Sequence, residues 1–138
     1  MPTIFKKGAH CGNTNFVGNA YINYLTKNDA VYDAKFYDVY FEAGARNNWH
    51  IHNENGQILL CTQGVGYYQE WGQPARRLVT GDVVEIMPGV KHWHGAAPDS
   101  DFTHIGINTR ISQGSYTWLE AVTDEQYKKA TGEKQDKH

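Results

Sequence analysis

Five of the seven histidines in this chain fall in three short segments rich in β-forming residues, and four of those five make two His-x-His triplets. On a β-strand, residues two apart point to the same face. His50 and His52 therefore present both rings to one side, and His92 and His94 do the same. Imidazoles gathered inside a sheet are costly to bury unless each finds a partner. One such pair is weak ground for a conclusion, since a buried histidine is often held by backbone alone. Two pairs, each in a glycine-framed segment, point to metal binding.

The first segment runs GARNNWHIHNENGQILLCTQG, from Gly44 to Gly64. A short turn, Asn53–Gly56, follows His52 and leads to Gln57, whose side-chain oxygen can reach the same point as the two rings. The second segment, GDVVEIMPGVKHWHGA, runs from Gly81 to Ala96. Gly81-Asp82 makes a turn, Val83–Ile86 a strand, and Pro88-Gly89 a second turn that aims His92 inward. The candidate metal ligands are His50, His52, Gln57 and His92. His94 shares the face of His92 and is open to three roles: a further ligand, a hydrogen-bond partner of the ligands, or an acid–base group. Trp93 points the other way. His104 lies in DFTHIGIN, where His104, Gly106 and Asn108 share one face. Packing and site roles are both open for it.

The rest of the chain reads as one all-β domain, and 138 residues leave little room for a second. Strands are predicted over Tyr21–Thr26, Lys35–Glu42, Gln57–Gln63, Tyr67–Trp71, Arg76–Thr80, Val83–Ile86 and Thr103–Asn108, with Gly, Pro or Asn turns between them. Only the C-terminus reads as helix. Thr123-Asp-Glu-Gln126 fits a capping box, with the helix running to about Ala130 and ending at Gly132. The expected divisions are an N-terminal arm over 1–20, a barrel over 21–122, and a helix with its tail over 123–138. The arm is a candidate edge strand for a partner's sheet. The tail after Thr131 has the most disordered character.

A net charge of -2 with scattered basic residues gives no footprint for nucleic acid or an anionic membrane. Cys11 and Cys61 stand far apart and outside any Cys-x-x-Cys pair. No signal leader is apparent, and no apolar run nears the ~20 residues a membrane helix needs. A cytoplasmic protein with two free thiols is expected.

The segment from Gly44 to Gly64 resembles the first motif of the cupins at each of its Gly, His and turn positions. The segment from Gly81 to His92 resembles the second, with Ala96 where an Asn usually closes that motif. The resemblance implies the double-stranded β-helix, a jelly-roll barrel with a metal near its centre, often in a dimer. Adding GVKHWHGAAPDSDFTHIGIN and TWLEAVTDEQY, the pattern looks like the small bacterial cupins that act as manganese-dependent hydroxynitrile lyases. It also looks like their carboxymuconolactone-decarboxylase-associated relatives. That likeness implies one divalent metal, manganese foremost, on His50, His52, Gln57 and His92, with His104 as an active-site histidine. Iron, nickel and zinc are also compatible with imidazoles and an amide oxygen. Most cupins have Glu where this chain has Gln57. A neutral oxygen donor leaves more charge on the ion, which favours Lewis-acid chemistry, and it cannot serve as a general base.

Strand alternation turns Gln57, Leu59 and Cys61 inward, along with Tyr37, Val39 and Phe41. The candidate substrate contacts are Tyr37, Val39, Phe41, Cys61 and Asn108, in an apolar cavity suited to a small organic molecule. Cys61 reads either as a core residue or as a sulfur near the metal, Trp49 and Trp93 as packing, and Arg46 as a rim or interface group. The expected function is that of a metal-dependent enzyme using Lewis-acid and histidine acid–base chemistry, with His104 and His94 as the catalytic pair and cyanohydrin cleavage as its specific form. The alternatives are a cupin dioxygenase or other oxidoreductase, and a non-catalytic ligand-binding cupin. A homo-oligomer, dimer or tetramer, is expected, with no nucleic-acid or membrane partner.

Overall fold

The structure is a computed structural model that describes residues 3–132, so the tail beyond Gly132 lies outside the described residues. The chain begins with β1 (Ala9–His10), β2 (Phe16–Val17), β3 (Ala20–Tyr24), α1 (Asp29–Tyr32), β4 (Ala34–Phe41), β5 (Arg46–Asn47) and β6 (His50–His52). It continues with β7 (Gln57–Gly64), β8 (Gly66–Glu70), β9 (Arg76–Leu78), β10 (Val83–Ile86), β11 (His92–Ala96), β12 (Phe102–Thr109), β13 (Tyr116–Trp118) and α2 (Asp124–Ala130).

These strands form two antiparallel sheets. The first has the order β1-β3-β4-β12-β7-β10. The second has the order β13-β6-β11-β5-β2, with β8 on the other side of β11 and β9 on β8. Period-2 alternation decides what lies between the sheets. On β7, Gln57, Leu59 and Cys61 are buried while Ile58 and Leu60 are only partly covered. On β4, Tyr37, Val39 and Phe41 face in, as their spacing predicts, and they pack with Leu59, Val84, Ile86 and Phe102 in the main core. Asp38, on the opposite face, is also buried, which the alternation alone does not predict. Phe102 and His104, two apart on β12, are both buried, and the pairing of β12 with β7 skips Thr62 between Thr103 and His104.

The N-terminal arm adds an edge strand to each sheet of its own chain. Ala9 pairs with Ile22, and Phe16 with Asn47. The single turn α1 is a departure from the sequence reading, because four residues are too few to show a helical period. The C-terminal helix follows its sequence signal. Thr123 Oγ1 accepts from the Gln126 amide at 3.0 Å, and Gln126 Oε1 accepts from the Thr123 amide at 2.9 Å. Gly132 takes a φ of 75°, which a side chain disfavours.

Arg46 corrects its expected place on the rim. It is 4% exposed, donates from Nη2 to the Val122 carbonyl at 2.8 Å and to Asp124 at 2.9 Å, and lies 4.4 Å over the Tyr127 ring. It therefore fastens α2 against the second sheet, where Trp49, Trp93, Val122 and Tyr127 form a separate core. The packing role expected of the two tryptophans is met there.

Phe102 is fully buried and stacks on Phe41 at 6.3 Å. Phe102→Ala should lower unfolding free energy by about 3–5 kcal/mol in urea titration. A loss below about 1 kcal/mol would mean that the two sheets are not closed on this ring.

Candidate metal centre

The centre is built on the pairing of β6 with β11, in which His50 lies directly opposite His92. His50, His52 and His92 each offer a ring nitrogen, and these atoms lie within 4.8 Å of one another. Backbone carbonyls fix two of the rings. His50 Nδ1 donates to the Asn48 carbonyl at 2.8 Å, and His92 Nδ1 donates to the Val90 carbonyl at 2.9 Å. Each ring is thereby left with its Nε2 lone pair turned inward.

Gln57 opens β7, and its Oε1 lies 3.2 Å from His92 Nε2. With the His92 proton on Nδ1, both of these atoms are acceptors. Two lone pairs facing each other in a buried space repel, and a cation between them turns the contact into shared coordination. The donor set of three neutral imidazoles and an amide oxygen thus fits a divalent metal.

Burial also keeps the rings neutral, as metal binding requires. Desolvation holds His52 and His92 at about 4, against an ordinary 6.5, and it lowers His50 well below that value. The neighbouring His92 lowers His50 and His52 further.

Gln57 is held from behind. Its Nε2 donates to the Tyr37 hydroxyl at 2.6 Å, Tyr37 donates to Asn108 Oδ1 at 2.8 Å, and Asn108 Nδ2 donates to the Tyr116 hydroxyl at 3.0 Å. Tyr37 fits only because position 106, directly opposite on β12, is glycine. A Cβ there would stand 2.2 Å from the Tyr37 ring.

His94 lies beside the triad rather than within it. Its ring is 5.9 Å from His92 and 5.8 Å from His50 between centroids, and Asn47 Nδ2 lies 3.3 Å from its ring nitrogens. Asn47 Oδ1 also accepts from the His94 amide at 2.9 Å. His104 sits behind His94 at 5.0 Å, fully buried against Phe41 and Phe102, and among the described residues neither ring nitrogen has a side-chain hydrogen-bond partner. Burial holds it at about 4 as well.

A cavity of about 270 Å³ opens beside these groups. His50, His52, Gln57 and His94 line it, together with Tyr37, Val39, Phe41 and Asn108 from the predicted contacts. Cys61 is not among its lining residues; it packs in the core, where burial pushes its thiol up to about 12. His104 does not line it either.

Seven lining groups escaped the sequence reading, among them Asn47, Phe16, Tyr116 and Trp118. Trp118 stacks on His50 at 4.6 Å and Tyr116 meets His52 edge-on at 4.9 Å. Their shared face in Tyr-Thr-Trp was the available signal, although a three-residue strand is too short to stand out.

This site defines a small two-sheeted antiparallel β-barrel domain with a three-histidine cluster that could hold a divalent metal. Residues 37–105 match the cupin domain family, and the chain belongs to that family. It is 47% identical over 91 residues to a protein named (R)-mandelonitrile lyase from Granulicella tundricola, covering 66% of this chain and 69% of that protein. A cupin-like protein from Thermotoga maritima is 50% identical, with a TM-score of 0.90 over 94% of this chain and 98% of that one. A predicted oxalate decarboxylase from the same organism shares the fold at 18% identity and a TM-score of 0.68, over 75% of this chain and 91% of that one. Among the described residues no helix is long and apolar enough to cross a membrane.

Two outcomes are expected here. Protein purified without chelators or an affinity tag should carry about one equivalent of divalent metal per chain by mass spectrometry, and His50→Ala should lose it. No metal in either protein would remove the site. Metal-free protein should also lose stability as pH falls. The unfolded chain binds protons from about 6.5 downward, whereas His52, His92 and His104 stay neutral in the fold until about 4. Asp38, raised by burial to about 6, opposes this as a single group. The melting temperature should therefore fall between pH 7.5 and pH 5, and a flat or rising profile would contradict the burial.

Proposed function

We propose that this chain is a metal-dependent lyase that cleaves an aromatic cyanohydrin to an aldehyde and cyanide. One observation carries the reading: three imidazoles and a neutral amide oxygen converge beside a cavity walled by Phe16, Val39, Phe41, Tyr116 and Trp118. The 47% identity to a protein named for mandelonitrile supports it. Manganese is the proposed metal. When bound on His50, His52, Gln57 and His92, the metal supplies Lewis acidity toward an oxygen-bearing substrate.

The protein's own groups have distinct tasks. The aromatic walls hold the substrate's ring and exclude water. His94, the histidine outside the triad that reaches the cavity, takes the substrate's hydroxyl proton. The oxygen's electron pair then closes a carbonyl as the carbon–carbon bond breaks, and cyanide leaves with the pair of that broken bond. The proton returns from His94 to cyanide, so that hydrogen cyanide and aldehyde depart. Asn47, bonded to both the ring and the amide of His94, fixes that ring's position. His104 is a positioning residue that packs against His94 from the core side.

The test is aldehyde release from racemic mandelonitrile, measured against the uncatalysed background, by protein with its metal complement verified. Turnover is expected, with a loss of about 100-fold or more in His94→Ala at unchanged metal content. Fully loaded protein that releases no aldehyde would overturn the reading. Oxygen uptake with a phenol or diketone would favour an oxidative cupin instead.

A further inference from the structure

The hydrogen-bond chain behind Gln57 has a direction, and that direction bears on the metal. Every member can be satisfied in two ways. In the arrangement seen, Gln57 Nε2 donates to Tyr37, Tyr37 to Asn108 Oδ1, and Asn108 Nδ2 to Tyr116. In the opposite one, Tyr116 donates to the Asn108 oxygen, the Asn108 amide to Tyr37, Tyr37 to the Gln57 oxygen, and the Gln57 amide to His92 Nε2. Both arrangements keep every link between Gln57 and Tyr116 made, because a tyrosine hydroxyl both gives and accepts and a carboxamide has one end of each kind. They differ in which end of Gln57 faces the three histidines.

We infer that Tyr37 and Asn108 form a positioning relay whose direction is coupled to metal occupancy, so that Tyr37 is the residue that keeps the Gln57 oxygen on the ion. The inference rests on the reading of His50, His52, Gln57 and His92 as the ligand set. With a cation present, only the arrangement with Gln57 Oε1 inward is favourable, since the reversed one points an N–H dipole at positive charge. Tyr37 accepts the outward amide proton at 2.6 Å while Asn108 claims its own hydroxyl proton, so the Gln57 amide has no second acceptor on that side. Tyr37 and Asn108 are 7% exposed each, and water does not readily replace either partner. In the metal-holding direction the Tyr116 oxygen is already an acceptor for Asn108, which frees the Tyr116 proton to face the cavity it lines.

A carboxylate at position 57 would have no direction to fix, because both of its oxygens accept. That separates positioning from packing. The dissociation constant for Mn²⁺ is measured by titration against a fluorescent chelator for wild type, Tyr37→Phe, Gln57→Glu and the double variant. Tyr37→Phe keeps the ring over Gly106, and metal-free melting checks that the fold is retained. Tyr37→Phe should weaken Mn²⁺ binding by about 10-fold or more in the Gln57 background, in the range seen for partners that orient a ligand. The same change on Gln57→Glu should shift it by less than about threefold. Unchanged Mn²⁺ affinity in Tyr37→Phe, or an equal loss in both backgrounds, would overturn the relay. Absence of Mn²⁺ binding in wild type would instead overturn the ligand set beneath it.

Discussion

Burying several imidazoles in one small interior is the condition around which this fold is arranged. A ring removed from water loses its solvation, and a charged ring loses far more, so the group stays neutral and each nitrogen needs a use. For His50 and His92 the chain meets this demand with main-chain geometry. The carbonyls of Asn48 and Val90 each take an Nδ1 proton from the histidine two residues on. The β6–β11 pairing then brings His50 and His92 face to face. Position, tautomer and protonation state follow from the same few contacts, and the metal fit follows from them in turn.

Much of this was legible in the sequence, for a physical reason. Strand side chains alternate with a period of two, so two His-x-His triplets state their shared faces without any knowledge of the fold. The capping box was legible because it is a local exchange between residues three apart. Gln57 was legible by its place after a turn. The unread parts are those decided by distant contacts. Arg46 reads as a rim or interface group until Val122, 76 residues later, brings the segment that buries it. Cys61 has the right parity for the interior, but parity does not say whether an inward side chain meets a cavity or a packed core. Tyr116 and Trp118 are set by the pairing of β13 with β6, which three residues cannot announce.

The fold and the chemistry are separable here. The barrel supplies two facing sheets, closed on the apolar core of Phe41, Leu59, Ile86 and Phe102. Function resides in what is grafted onto it, namely three rings, one amide and an aromatic wall. The neutral residue at position 57 is the sharpest local feature of this graft. It removes a carboxylate from the centre, and in exchange it introduces an oxygen and a nitrogen that must be told apart. The Tyr37–Asn108 pair makes that distinction within the protein.

Gly106 gives this arrangement a history-dependent character. A Cβ at 106 would meet the Tyr37 ring at 2.2 Å, so the two positions cannot change independently. A lineage that holds tyrosine at 37 is barred from any side chain at 106 until the tyrosine is replaced. A lineage that has filled 106 cannot acquire the tyrosine in one step. The order of substitutions is therefore constrained, with Gly opposite Tyr across β4 and β12 as a linked pair.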